Sequence, residues 1–280
     1  MLLKFETVSE LKSFIKSKKD SGKTIGFVPT MGALHQGHIS LIEQARTNDI
    51  VICSIFVNPT QFNNANDLDK YPRTLDADIQ LLEHQHCDVL FAPDVNEMYP
   101  EGSKLLDLDL EGFDNVMEGI FRPGHFQGMI TVVHNLLTIV TPDKAYFGEK
   151  DFQQLAIVKF MVKKLQLPVT IIGCPTVREA DGLAMSSRNI HLTIAERQQA
   201  PIIYETIKKC ASLKGNFTPQ QLSNYIKQVI EESGVFKLEY IAFINAATLH
   251  ELTQWNSEDL LRVCIAVITS KTRLIDNVEL

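Results

Sequence analysis

Hydrophobic residues in the first two thirds of the chain fall into short unbroken runs that alternate with stretches of helical periodicity. The runs at 24–28 and 50–57 are apolar at nearly every position, which is typical of parallel strands covered on both faces. Strands are predicted at 24–28, 50–57, 88–91 and 168–173, and helices at about 38–48, 74–86, 129–140 and 151–165. This alternation predicts an α/β fold with a doubly wound, Rossmann-like parallel sheet that binds ligands at the carboxyl ends of its strands.

The pattern changes in the last third of the chain. Charged and turn residues dominate 174–191, and two helix starts with capping boxes follow, at Thr193 and Thr218. Apolar runs at 238–244, 263–269 and 272–276 then predict three strands. We therefore predict a larger Rossmann-like domain at 1–175 and a smaller α+β domain at 176–280.

The sequence HQGH (35–38) stands between the first long strand and the helix that follows it. A helix start presents backbone N–H groups and a partial positive charge, so phosphates bind there readily. Gly37 lets a ligand approach the backbone closely. His35 and His38 add donors that can follow charge developing on a transferring phosphate. The pattern indicates nucleotidyl transfer, and a metal-binding pair or two ordinary helix-start histidines are the alternatives.

Two further motifs directly follow apolar runs. NPTQF (58–62) comes at the end of the second long strand, where Gln61 offers donors and acceptors without charge. FGEKDFQQ (147–154) opens a helix with adjacent charges; Lys150 could face a phosphate, and Asp151 could cap the helix. A plain strand-end turn and a solvated helix start are the alternatives.

Arginine occurs in two other motifs predicted to be loops. RPGHFQG (122–128) precedes a helix, and its Arg122 could bind a carboxylate or phosphate, although surface exposure of Arg122 and His125 is equally open. MSSRN (185–189) lies in the turn-rich region, where its hydroxyl groups and guanidinium could form a movable phosphate clamp. Such a segment is common in loops, and it gains weight only as the second half of a phosphate grip with HQGH.

The composition is that of a globular protein with an acidic balance. Of its 280 residues, 45% are hydrophobic and 22% are charged, and the net charge is −7. Proteins that hold nucleic acid usually present a basic face, so nucleic acid is not expected as a partner. No apolar run reaches the roughly 20 residues of a membrane helix. The five cysteines form no C-x-x-C pair and follow no secretion signal, which favours a reducing cytoplasm.

Taken together, these stretches resemble the pantothenate synthetases, the pantoate–β-alanine ligases. The similarity covers essentially the whole chain. It rests on PTMGALHQGH (29–38), SIFVNPTQF (54–62), YPRTL (71–75), RPGHFQG (122–128), AYFGEKDFQQL (145–155), GCPTVREADGLAMSSRN (173–189) and KTRLIDN (271–277). HQGH and MSSR alone would indicate only the wider superfamily of HxGH nucleotidylyltransferases and class I aminoacyl-tRNA synthetases, and their combination with the other motifs is much narrower.

The resemblance implies a two-step reaction. The carboxylate of pantoate attacks the α-phosphorus of ATP to give pantoyl adenylate and pyrophosphate, and the amine of β-alanine then displaces AMP. ATP would bind with Mg²⁺, for which the sequence offers no preformed cage, since Mg²⁺ often relies on substrate phosphates. No tightly bound organic cofactor is implied. The family also implies a homodimer formed through the first domain.

The same resemblance assigns roles to individual residues. The catalytic residues would be His38, His35, Lys150 and Arg188; the family treats the position of His38 as the catalytic acid, and we interpret it as a donor to the transition state. Pantoate would contact Gln61 and Gln154, and Gln61 would also contact β-alanine. The ATP-binding residues would be Met31, Gly32, Ala33, Leu34, His35, Gln36, Gly37, His38, Gly148, Glu149, Lys150, Asp151, Val177, Met185, Ser186, Ser187 and Arg188, with Val177 and 185–188 closing over the nucleotide from the second domain.

Three other functions stay open at this point. Another HxGH-type nucleotidylyltransferase would transfer a nucleotide to a small acceptor, but a phosphate-bearing acceptor would call for more cationic residues than NPTQF offers. A nucleotide-binding regulator without chemistry is disfavoured by the presence of His35, His38, Lys150 and Arg188. An HxxH metalloenzyme would be revealed by metal analysis of the purified protein.

Overall fold

The apolar runs form strands and the amphipathic stretches form helices in a computed structural model that describes residues 1–62, 68–69, 71–255 and 260–280. The strands are β1 (Leu3–Phe5), β2 (Ile25–Thr30), β3 (Ile50–Ile55), β4 (Val89–Phe91), β5 (Lys144–Gly148), β6 (Thr170–Cys174), β7 (Lys237–Asn245), β8 (Leu261–Ile268) and β9 (Arg273–Glu279). The α-helices in these ranges are Val8–Asp20, Gln36–Ala45, Leu75–His84, Val95–Met98, Glu118–Phe121, His125–Val140, Phe152–Lys164, Ile194–Gln199, Pro201–Leu213 and Pro219–Glu232. None of them is both long enough and apolar enough to cross a membrane. Each strand and helix predicted above is present, with its ends shifted by a few residues.

The described residues divide into two compact units. The first contains Met1–Glu111, Arg122–Glu149 and Gln154–Pro175, and the second contains Gly112–Phe121, Lys150–Gln153 and Thr176–Leu280. Two short segments from the middle of the chain therefore belong to the same unit as its C-terminal third.

Six parallel strands of the described chain form the sheet of the first unit, in the order β1-β4-β3-β2-β5-β6. Strands β2 and β3 pair from Ile25 opposite Ile50 to Thr30 opposite Ile55. Both strands are buried along nearly all their length, as expected for parallel strands covered on both faces. The predicted α/β fold with a doubly wound parallel sheet is confirmed.

The second unit is built on a small antiparallel sheet. Its strands run in the order β7-β8-β9, with a register shift between Leu238 and Tyr240. The helices Pro201–Leu213 and Pro219–Glu232 share an apolar core with this sheet, and Thr218 caps the second helix in the predicted capping box. The predicted α+β character of the C-terminal region is confirmed.

A buried ion pair ties the mid-chain segments into the second unit. Arg273 in β9 donates hydrogen bonds of 2.8 and 2.7 Å to the two carboxylate oxygens of Glu118, and the Tyr240 hydroxyl donates a third at 2.7 Å. The backbone N–H of Glu118 donates to the side-chain oxygen of Gln153 at 2.9 Å. The segments around residues 118 and 153 are therefore bound to each other and to the C-terminal sheet.

Candidate active site

Three loops that carry predicted site residues lie at one edge of the parallel sheet. HQGH follows β2, NPTQF follows β3, and Gly148 and Glu149 stand at the end of β5. The strands β3, β2 and β5 are parallel neighbours, so their carboxyl ends lie side by side. The strand order reverses at β2, because the chain continues to β3 on one side and later returns to β5 on the other. Such a reversal in an open α/β sheet leaves the crevice that typically binds the ligand.

His35 and His38 cap the helix Gln36–Ala45 reciprocally. The Nδ1 atom of His35 accepts a hydrogen bond from the Gly37 N–H at 3.1 Å, and Nδ1 of His38 accepts one from the His35 N–H at 3.3 Å. The ring centroids are 4.1 Å apart, and both side chains are half-buried. Because both Nδ1 atoms act as acceptors, each neutral imidazole carries its proton on Nε2. The cap thus fixes the tautomer of both rings and gives each a donor at Nε2.

This cap changes how the helix start can meet an anion. Open backbone N–H groups were predicted here, but the N–H of Gly37 is taken by His35 Nδ1 and that of His38 donates to the His35 carbonyl at 2.8 Å. The positive end of the helix dipole stays at the same place. These two N–H groups are therefore engaged within the helix start, and each imidazole keeps its own donor at Nε2.

Asp78 holds the loop between β2 and His35. Its Oδ2 accepts a hydrogen bond from the Ala33 N–H at 3.0 Å and its Oδ1 one from the Leu34 N–H at 2.8 Å. Asp78 is only 3% exposed. The loop needs such support, because Gly32 and Ala33 have φ angles of 83° and 51°, and left-handed backbone at a residue other than glycine costs roughly 1–2 kcal/mol. Asp78 was not singled out from the sequence, where an acidic residue in a helix is typical of a solvated face.

We expect Asp78→Asn to destabilise the fold measurably. The amide would place an N–H against one of the two loop N–H groups, so one charge-assisted hydrogen bond is lost and a buried donor is left unsatisfied. The expected loss in the free energy of unfolding is about 1.5–3 kcal/mol, measured by urea denaturation.

Asp76→Asn is the matched control, because Asp76 lies on the same helix but is exposed. Its urea midpoint should remain close to that of the unchanged protein. Equal midpoints for the two variants would show that Asp78 does not support the loop.

Gln61 ends a 3₁₀ turn, Pro59–Gln61, that is capped by Asn58. The buried Gln61 side chain donates from Nε2 to the Sδ atom of Met31 at 2.9 Å and accepts at Oε1 from Asn58 Nδ2 at 3.1 Å. The Tyr99 hydroxyl donates to Asn58 Oδ1 at 2.8 Å, and burial raises the pKa of Tyr99, which keeps it a donor. The structure therefore brings together Met31 and Gln61, which were predicted to bind ATP and pantoate.

The end of β5 offers room beside its backbone. A Cβ atom built on Gly148 would meet no heavy atom of the described chain within 4 Å. Glu149 starts the 3₁₀ turn Glu149–Asp151, and Gln154 is half-buried in the first turn of the next helix. Gly148, Glu149 and Gln154 all belong to the first unit.

Lys150 and Asp151 belong to the second unit, where Asn277 holds the chain at Lys150. The buried Asn277 side chain donates from Nδ2 to the Lys150 carbonyl at 2.9 Å. Its neighbour Asp276 accepts two hydrogen bonds from the Arg178 guanidinium, at 2.6 and 2.9 Å. Two adjacent residues of β9 thus fix both the Lys150 segment and the start of the segment that leads to Arg188.

Val177 and Met185 face each other in a hydrogen-bonded hairpin. The Met185 N–H donates to the Val177 carbonyl at 3.0 Å. Ser186 then caps the 3₁₀ turn Ser187–His191, and its Oγ accepts from the Arg188 N–H at 3.3 Å. The segment 185–188, which was predicted to clamp a phosphate, therefore lies at the end of a hydrogen-bonded hairpin and not in an unsupported loop.

Cysteines and groups of metal-ligating side chains would be further sources of chemistry in the described residues. All five cysteines are buried thiols, and burial raises the pKa of Cys174 and Cys210 to about 11, that of Cys87 and Cys264 to about 12, and that of Cys53 well above its usual range. The reactive form is the thiolate, which these pKa values disfavour. Within the part of the chain that the structure describes, no group of three His, Cys, Asp or Glu side chains could hold a metal ion.

Comparison with known proteins places the chain in a family. A family model described as pantoate-beta-alanine ligase matches residues 3–279. The chain is 46% identical over 276 residues to the pantothenate synthetase of Porphyromonas gingivalis (strain W83) and 47% identical over 276 residues to that of Phocaeicola vulgatus, covering 98% of both chains in each case. It superposes on the pantothenate synthetase of Thermus thermophilus with a TM-score of 0.92 and 41% identity over 99% of both chains, and on the pantoate-beta-alanine ligase of Francisella tularensis, complexed with Beta-gamma ATP and beta-alanine, with a TM-score of 0.82 and 41% identity over 100% of this chain and 98% of that one. With these matches over essentially its full length, the chain belongs to the pantoate–β-alanine ligase family.

Proposed function

We propose that this chain joins pantoate to β-alanine in an ATP-dependent ligase reaction that proceeds through pantoyl adenylate and releases pyrophosphate and AMP. The observation that carries the proposal is the reciprocal His35–His38 cap beside the reversal point of the sheet. Gln61 is bound to Met31 of the loop that leads to this cap, so anion-directed donors lie near an uncharged carboxamide. That combination suits a phosphate next to a hydroxyl-bearing acid, and the Francisella tularensis relative is complexed with Beta-gamma ATP and beta-alanine.

In the first step, a carboxylate oxygen of pantoate attacks the α-phosphorus of ATP, and the bond from that phosphorus to pyrophosphate breaks. Negative charge moves onto the departing phosphates, and donors aimed at that charge lower the barrier. We assign this role to the Nε2–H groups of His35 and His38, with the cations of Lys150 and Arg188 compensating further charge. ATP enters with Mg²⁺ carried on its phosphates.

The proposed ATP site follows the family resemblance residue by residue. It comprises the β2 loop from Met31 to His38, the β5 end at 148–151, Val177 and the segment 185–188. Within the first unit, the open space beside the Gly148 backbone leaves room for a ligand to approach the chain closely.

Gln61 and Gln154 are the proposed ligands of pantoate. Neutral carboxamides can hold the hydroxyl groups of pantoate without pairing its carboxylate, which must stay nucleophilic. A carboxamide has two donors and two acceptor positions, so Gln61 can hold Met31 and Asn58 and still contact a substrate hydroxyl. These contacts fix Gln61 before substrate arrives, which lowers the entropy cost of orienting the acid.

In the second step, the amine of β-alanine attacks the acyl carbon of pantoyl adenylate. The bond from that carbon to the AMP oxygen breaks, the amide bond forms, and the amine gives up a proton. Gln61 is the proposed contact of β-alanine as well. Water would hydrolyse the adenylate, and we propose that the domain at 176–280 shields the intermediate held by the domain at 1–175.

We further propose a homodimer formed through the first domain and a cytoplasmic location. The homodimer follows from the family resemblance. The location is supported by the five cysteines, all of which are buried free thiols and none of which needs an oxidising compartment.

Pantoate, ATP and Mg²⁺ should support exchange of labelled pyrophosphate into ATP without β-alanine, because the first step is complete and reversible in the proposed mechanism. Net release of AMP should require β-alanine as well. Omitting pantoate is the control and should abolish the exchange. Exchange that strictly requires β-alanine would contradict the adenylate mechanism, and exchange with another small acceptor but not with pantoate would favour a different HxGH-type nucleotidylyltransferase.

A further inference from the structure

The first turn of the helix His125–Val140 packs directly on the turn that carries Gln61. A Cβ atom at Gly128 would lie 2.1 Å from the carbonyl oxygen of Thr60, so a larger residue cannot occupy that position without moving the backbone. Asn58 Nδ2 crosses the same contact and donates to the Gly128 carbonyl at 3.2 Å. The second half of the RPGHFQG motif, from His125 to Gly128, therefore packs on the NPTQF turn, whereas Pro123 and Gly124 are exposed.

His125 adds a directional bond to this contact. Its Nδ1 atom lies 2.9 Å from the backbone carbonyl oxygen of Gln61, and the residue is 5% exposed. A carbonyl oxygen only accepts, so Nδ1 of His125 carries the proton, which is the opposite tautomer to that of His35 and His38. Without this donor, a buried carbonyl would lose its hydrogen bond.

We infer that His125 is a positioning residue that sets Gln61 for pantoate and β-alanine. The inference rests on the proposed function, which assigns those substrates to Gln61. His125 holds the backbone of Gln61 while Asn58 and Met31 hold its carboxamide, so a shift of the turn would carry the carboxamide away from its substrates. A misplacement of about 1 Å in a substrate contact is enough to cost roughly 10²-fold in rate. His125 acts through Gln61 and needs no substrate contact of its own.

Two substitutions at His125 distinguish a positioning role from one in which the side chain only fills buried space. Asparagine places its Nδ2 donor close to where Nδ1 of histidine stands, whereas glutamine reaches further and places its nitrogen near the position of Nε2. His125→Asn should therefore keep the bond to Gln61, and His125→Gln should lose it. We expect His125→Gln to raise the KM for pantoate roughly tenfold, the scale of one hydrogen bond, and His125→Asn to stay within about threefold of the unchanged enzyme.

The measurement that distinguishes positioning from a purely structural role is which of the three KM values changes. In His125→Gln, the KM values for pantoate and β-alanine should rise while that for ATP stays within about twofold, because the β2 loop that carries the histidine cap is held by Asp78 and not by His125. Gln61→Ala is the reference and should show the same split. His134→Gln, on the same helix farther from its start, is the matched control and should leave all three KM values unchanged.

Several outcomes would overturn the inference. These are an equal effect of His125→Asn and His125→Gln, a parallel rise in the KM for ATP, or an unchanged pantoate KM in His125→Gln while Gln61→Ala raises it. Failure of the unchanged enzyme to condense pantoate with β-alanine would instead refute the proposed function. If the variants do not fold, the ¹⁵N shifts of His125 in the unchanged protein decide, because a proton on Nε2 in place of Nδ1 would exclude the bond to Gln61.

Discussion

His38→Ala should lower turnover by about two to three orders of magnitude, the scale of losing one preorganised donor to a developing negative charge. The substitution removes the Nε2–H that the cap holds at the end of β2, and it also removes the acceptor for the His35 N–H. The measurement is single-turnover formation of pantoyl adenylate together with steady-state turnover. The loss should appear in both, because the proposed first step depends on this donor.

His38→Asn separates the capping role from the chemical one. The side-chain oxygen of asparagine stands close to where Nδ1 of histidine stands, so it can accept from the His35 N–H, and no donor remains at the position of Nε2. We expect this variant to melt close to the unchanged protein and yet to be as slow as His38→Ala. Near-normal turnover in His38→Asn would mean that His38 only caps the helix.

Lys150→Ala should lower the rate of pantoyl adenylate formation by about a hundredfold and change the KM for pantoate little. The positive charge matters most when charge shifts between phosphates, so the defect belongs to the chemical step. The substitution leaves the Lys150 carbonyl and its bond from Asn277 in place, so the path of the chain at this point is retained. Single-turnover measurement at saturating ATP and pantoate tests this expectation.

Lys144→Ala is the matched control for Lys150. Lys144 starts β5, so it lies at the amino end of the strand, away from the carboxyl edge that carries the candidate site. Its removal should leave adenylate formation unchanged. A profile for Lys150→Ala that matched that of Gln61→Ala, with weakened substrate binding and an unaffected chemical step, would contradict the separate roles assigned to charge and carboxamide.

The parallel sheet was predictable because the apolar pattern that marks each of its strands lies within a few consecutive residues. A strand covered on both faces must be apolar along its whole length, and β2 and β3 carry that requirement in their own residues. The approximate ends of these strands then place HQGH and NPTQF at the carboxyl edge of the sheet, where ligands bind, even when the pairing of the strands is unknown. The strand order, which makes β2 the reversal point, rests on contacts between distant segments and was not in the pattern.

The histidine cap was missed as a cap because helix starts are usually recognised by Ser, Thr, Asp or Asn. The helix was predicted from about residue 38 and begins at Gln36, with His35 as its N-cap. The helix predicted from 129 begins earlier, at His125. Its start was predicted too late because glycine in a single sequence is typical of loops, whereas Gly128 lies within the helix and is required there by the close approach of the Thr60 backbone.

Buried polar residues set the other limit to what could be predicted from the sequence. Strand β9 was predicted at 272–276, and it continues past Asp276 and Asn277 to Glu279. Both residues are buried because Arg178 satisfies the carboxylate and the Lys150 carbonyl satisfies the amide. These partners lie about 100 and 130 positions away along the chain, beyond the reach of any local pattern. The same holds for Asp78, whose partners are the N–H groups of a distant loop.

The buried pair between Glu118 and Arg273 bears on how this protein could be recombined with its relatives. A chimera that exchanged everything after residue 175 for a piece without an arginine at position 273 would leave the Glu118 carboxylate without its ion-pair partner. An unmatched charge of this kind typically costs about 3–5 kcal/mol, a large share of the stability of an ordinary domain. A crossover that moves both members of the pair in one exchange would carry 112–121 and 150–153 together with the C-terminal third.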